Sequence, residues 1–141
     1  MEPCFDGYAY ITEECLGAFR MGKPIVPARL AVQIMRHPEF PMHYPYHHYL
    51  VPAVMLTAVY RLQGETEEAL GAALEEAKKR ALNVLKGFCG LYGDCGAAVG
   101  LGIFMSILTG TTPHSEETWA MTNRITAGSL MKIAEDRKSV V

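Results

Sequence analysis

The sequence has little charge of either sign to spare. Thirteen Lys and Arg stand against fifteen Asp and Glu, for a formal net charge of −2, so the basic surface that a nucleic-acid binder needs is missing. The one short basic run, Lys78, Lys79 and Arg80, falls towards the end of a predicted helix, where cations suit the dipole, and reads as a solvated face. A basic then apolar leader is also lacking, since Met1 is followed by Glu2, Pro3 and Asp6; the expected location is the cytoplasm. No stretch alternates with period two, so strands are expected to be few or absent. Neither an internal repeat nor a low-complexity or linker-like segment interrupts the 141 residues, which fit one domain with a real hydrophobic core.

Several motifs are missing as well. Paired CxxC units do not occur, which excludes a zinc ribbon and leaves at most a mixed Cys/His site. No Gly-Lys-Ser/Thr opens a helix, so there is no phosphate loop of the nucleotide-binding kind; Lys86, the nearest lysine, precedes the glycine-rich loop. A dinucleotide fingerprint fails because the glycines follow a helix rather than a strand. Four cysteines in a reducing compartment point away from structural disulfides and towards buried thiols, metal ligands or redox chemistry.

What the chain does have is the stretch GFCGLYGDCGAAVGLGIFMSILTG, residues 87–110. Its first half sets Gly90, Gly93, Cys89 and Cys95 around an aromatic pair, and glycine at that density means positive φ or a close approach. Asp94 is a good N-cap, which predicts a helix running to about Thr109 with the sulfur of Cys95 in its first turn. Unpaired N–H groups and the helix dipole stabilise a thiolate there. An anion held on the N–H groups of residues 95–97 is an equally physical use of the same feature. The plainer reading is that Gly96, Ala97, Ala98, Gly100 and Gly102 let neighbouring helices pack tightly, with the cysteines as core. The apolar run over residues 96–113 approaches the length of a membrane span, but its glycines and threonines favour a buried core helix.

The second unusual stretch is PEFPMHYPYHHYLVPAV. Pro38, Pro41 and Pro45 stiffen the approach, and Pro45 can open a helix with His47 and His48 in its first turn. His43, His47 and His48 therefore cluster at a helix mouth; imidazole is the commonest metal ligand and titrates nearest neutral pH. Pro45 lies between His43 and His47, so the i, i+4 argument for one shared metal does not carry over cleanly. Pro52 should kink the helix, because it donates no N–H and crowds the carbonyl of His48.

Elsewhere the pattern is regular. A first helix is expected over 12–21 with Thr12 as cap and Cys15 in the core, after an irregular lead-in that carries Cys4. A second begins with Pro27 and runs to His37, with Arg29 and Arg36 facing outward or towards a ligand. Thr66 caps a helix over 67–86, whose apolar side is Leu70, Leu74, Ala77, Ala81 and Leu85. Ser115 is expected to cap the last helix, with Trp119, Thr122, Thr126, Leu130 and Ile133 facing inward. The fold class that results is all-α, a single-domain bundle of about six helices around a buried glycine-rich central helix.

In combination, PMHYPYHHYLVPAV, the 87–110 stretch, the TGTTPHS turn and a last helix with Trp119 and Asn123 resemble an uncharacterised prokaryotic family with no assigned function. The resemblance covers residues 27–134. The Cys-Gly-Ala segment is also similar to that of small all-helical cysteine proteins of redox type. Members of the first family often carry extra cysteines ahead of the shared region and a Cys-Cys pair after it. This chain offers Cys4 and Cys15 in front and ends in EDRKSVV, so a cluster built on those ligands lacks them here.

The two irregular stretches are expected to converge. Cys95, Cys89 and His47 are the candidate catalytic residues, and Gly90, Gly93 and Gly96 the candidate ligand cradle. His43, His47, His48, Cys89 and Cys95 are the candidate ligands of a transition metal or an iron–sulfur cluster. The chemistry would be thiol redox, sulfur transfer or metal-dependent catalysis. The alternatives are a non-catalytic module for an anion or small ligand, and a helical subunit of a homo-oligomer.

Overall fold

The computed structural model describes residues 4–138. The first three residues of the expected lead-in and the last three of the EDRKSVV tail lie outside the description. Among the described residues the chain forms seven helices and no strand: α1 (Gly7–Arg20), α2 (Pro27–Met35), α3 (Tyr46–Gln63), α4 (Glu67–Ala81), the single turn α5 (Phe88–Leu91), α6 (Gly96–Thr109) and α7 (Glu117–Lys138).

Helix α1 starts earlier than its pattern predicts. Asp6, not Thr12, is the cap, accepting the N–H of Tyr8 at 3.0 Å and of Ala9 at 3.3 Å. Thr12 sits mid-helix, where its hydroxyl donates to the Tyr8 carbonyl and meets the Tyr49 hydroxyl at 2.7 Å. Ile11, Cys15 and Phe19, spaced four apart, form the buried stripe. Pro27 opens α2 at its first turn as expected, and Arg29 and Arg36 are exposed, although the helix ends at Met35 rather than His37.

Helix α4 has its predicted cap, with Thr66 accepting the Ala69 N–H at 3.1 Å, but it ends at Ala81 and not near Lys86. Beyond Ala81 the bonds of Asn83 and Val84 shorten to the i−3 carbonyl, the tightening that ends a helix. Leu85 is consequently outside the helix and 61 % exposed rather than part of its apolar side. Nor is Arg80 merely solvated: it bonds Glu76 at 2.9 Å and reaches across to the Ser106 hydroxyl of α6 at 2.9 Å.

Helix α3 packs against α1, α2, α4 and α6, and α6 packs in turn against α4 and α7. The glycines of α6 explain how closely. A Cβ on Gly100 would stand 3.0 Å from the Pro52 ring and 3.1 Å from the His48 carbonyl, the acceptor that Pro52 leaves without its helical donor. Gly102 meets the Thr126 hydroxyl of α7 in the same way. The glycine-rich helix is thus buried between two others, as its composition predicts. Gly110, at φ 67, ends it, with the Thr111 N–H returning to the Ser106 carbonyl at 2.9 Å.

Helix α7 begins at Glu117. Ser115 does not cap it; its hydroxyl accepts the Thr112 N–H at 3.0 Å and closes the preceding turn. Thr122, Thr126, Leu130 and Ile133 are half-buried as predicted, while Trp119 is 49 % exposed. No helix among the described residues is long and apolar enough to cross a membrane.

Candidate functional site

A cleft of about 360 Å³ opens where the approach to α3, the link between α4 and α6, and the end of α7 meet. His43, His47 and His48 line it from one side, Cys89, Cys95, Gly96 and Ala97 from another, and Lys86 and Arg137 stand at it as well. The two stretches that are irregular in sequence therefore share one cavity.

The local backbone explains how Cys95 reaches it. Gly93 at φ 65 reverses the chain after α5, and the Asp94 N–H bonds the Phe88 carbonyl at 3.2 Å, closing that turn. Asp94 stands one residue ahead of the cap position of α6, and its buried Oδ1 has no hydrogen-bond partner. Cys95, extended at φ −62 and ψ 123, is itself the cap residue, with no side-chain bond to the helix. Its sulfur thus belongs at the mouth of α6 rather than within the first turn. The first helical N–H groups, those of Gly96 and Ala97, have no intrahelical acceptor.

His48 is fixed by two contacts. Its Nδ1 lies 3.3 Å from the Val84 carbonyl, which can only accept, so Nδ1 carries the hydrogen and Nε2 keeps its lone pair. The Nε2 edge of the ring lies over Gly96, where a Cβ would fall inside the imidazole. Burial pushes His48 below the ordinary histidine range; the Val84 bond opposes this and neighbouring His47 adds to it. A neutral acceptor nitrogen is thus held against the residue that follows Cys95. His47 has the opposite tautomer, with Nε2 donating to the Pro41 carbonyl at 3.1 Å and the ring edge-on to Phe40 at 5.2 Å.

The other candidates separate from this group. His43 is exposed at the mouth of the cleft. Gly90 and Gly93 do not line it, so of the three proposed cradle glycines only Gly96 does. Cys89 is exposed on α5, at the cleft. Cys15 lies elsewhere, fully buried beside Thr57, with burial pushing its thiol up to about 12. Among the described residues, no three His, Cys, Asp or Glu side chains are grouped so as to hold a metal ion. The five proposed ligands line a common cleft without forming such a set.

Three contributors were not legible as site residues. The Val84 carbonyl is free for His48 only because α4 ends early, and Lys86 and Arg137 are brought in from separate segments. Lys86 holds its ammonium 5.7 Å from the centre of the Tyr44 ring, a cation–π contact at the rim. Lys86 could have been weighed from its place next to the glycine loop, whereas nothing local marks Arg137.

Fold and cleft together define an all-helical domain that presents thiols and imidazoles at the mouth of a buried glycine-rich helix. The chain belongs to a family of unknown function (DUF5714), whose model matches residues 16–139, wider than the 27–134 stretch that carries the resemblance. No curated protein and no solved structure matches it.

Proposed function

We propose that this chain carries out thiol chemistry on a small molecule bound in the cleft, with Cys95 as the reacting group, His48 as its proton acceptor and Cys89 as a second thiol within the same cavity. The observation that carries the reading is the placement of His48: its tautomer is set by Val84 and its lone-pair edge lies on Gly96, beside Cys95. A thiol becomes a nucleophile on losing its proton, and a neutral imidazole at the mouth of a helix is a suitable acceptor. Thiol redox and sulfur transfer both use such a pair: Cys89, lining the same cavity, would attack the Cys95 sulfur of a mixed disulfide, forming the Cys89–Cys95 disulfide and releasing the other half as a thiol.

The test is alkylation of native protein with iodoacetamide across pH, with each cysteine followed by peptide mass mapping. Cys95 is expected to react fastest at neutral pH, and His48→Gln, which keeps an amide donor for Val84, should slow it by roughly a hundredfold, the lower end of general-base effects. Cys15 should stay unmodified, which reports that the fold is intact. Equal rates at Cys95 in the wild type and His48→Gln would remove the case for the pair.

A further inference from the structure

The described residues lining the cleft include Lys86, Arg137 and three histidines, but no aspartate or glutamate. In a chain whose net charge is −2 and whose acidic residues outnumber its basic ones, two fixed cations, Lys86 and Arg137, at a cavity lined by no carboxylate suit an anionic ligand. The cations come from different parts of the fold, Lys86 from the link after α4 and Arg137 from the end of α7. They are therefore not a by-product of one basic helix. Between them the cavity also presents the N–H groups of Gly96 and Ala97.

We infer that the small molecule taken by this cleft carries an oxyanion group, a carboxylate, phosphate or sulfonate, held between Lys86 and Arg137 against the start of α6. An arginine fork matches the paired oxygens of such a group, and a lysine adds a point charge. Met42, Tyr44 and Pro45 form an apolar wall for the remainder of the molecule. The cleft is large enough for a metabolite-sized ligand and too small for a folded partner. This inference rests on the thiol reading for what happens to the ligand, but not for how it is held.

Two alkylating agents of nearly the same shape separate the points. Iodoacetate is an anion and iodoacetamide is neutral, so their rate ratio at Cys95, divided by that at free glutathione, measures selection for charge. The normalised ratio is expected to be raised roughly tenfold at low ionic strength and to fall with added salt, as electrostatic attraction does. Lys86→Gln combined with Arg137→Gln should return it to about one. Both residues are exposed, and continued protection of the buried Cys15 from iodoacetamide would show the fold to be intact. A second measurement does not need the thiol: inorganic phosphate titrated into Cys95→Ser, read by ¹⁵N shifts of Gly96 and Ala97, should saturate, and should fail to in the Lys86/Arg137 double variant. A normalised ratio near one in the wild type, or phosphate shifts that ignore the double variant, overturns the inference while leaving the His48 effect on Cys95 standing. Saturable phosphate binding with no His48 effect on Cys95 does the reverse.

Discussion

His48 connects most of what is unusual in the molecule. It follows three closely spaced prolines, its carbonyl is the one that Pro52 deprives of a donor, and its ring is placed by a carbonyl 36 positions away in the chain. Because its folded proton affinity lies below the ordinary 6.5, the unfolded chain binds a proton there more readily than the native state does. The neutral ring's contribution to stability is therefore fully present above pH 6.5 and is lost as pH falls through the lower native value. Urea midpoints at pH 7.5 and 5.0 should drop more in the wild type than in His48→Gln; equal drops would mean that burial of this ring is not coupled to folding. From sequence, the three histidines and the cysteine pair were legible as candidates, and all five line the cleft. The tautomers of His47 and His48 were not, because each is set by a backbone carbonyl that only the folded chain brings near.

At the scale of the element, glycine has two opposite meanings in this chain. Gly100 faces the Pro52 ring and a fixed carbonyl, so Gly100→Ala should push α6 from α3 and cost about 1–3 kcal/mol, as overpacking does. Gly71 and Gly128 also lie inside helices, but a methyl group added at either would meet nothing within 4 Å, so alanine there should stabilise by about 0.5–1 kcal/mol through helix propensity. Denaturant titration of the three variants checks the contrast, and a neutral Gly100→Ala would show that the α3–α6 contact is looser than its geometry implies. Helix existence was well signalled where punctuation is local: Pro27, Thr66, Gly64 and Gly110 all act as their residue types suggest. The starts of helices were poorly signalled where the cap is not the residue that the local pattern suggests. Cys95 rather than Asp94 stands at the cap of α6, Ser115 closes its own loop, and Asp6 caps a helix whose first residue, Gly7, is kept small by the Tyr46 ring.

At the scale of the whole molecule, the fold serves to bring two remote stretches to one place. Helix α3 carries the histidines at its start and α6 carries Cys95 at its start, and their glycine-assisted packing sets those two helix mouths side by side. The all-α class and the buried glycine-rich helix follow from periodicity and composition, whereas the cleft depends on α4 ending at Ala81 and on Arg137 arriving from the far end of the chain. Those are long-range facts that no local pattern encodes. The central claim is that His48 and Cys95 belong to one site, and histidine imidazole NMR tests it most directly. Treating the protein with methyl methanethiosulfonate, with Cys95 the only accessible cysteine left, should shift the His48 ring resonances clearly and those of His37, stacked on Phe5 at 4.6 Å in the aromatic cluster, hardly at all. Quantitative modification of Cys95 with His48 unmoved would contradict the account.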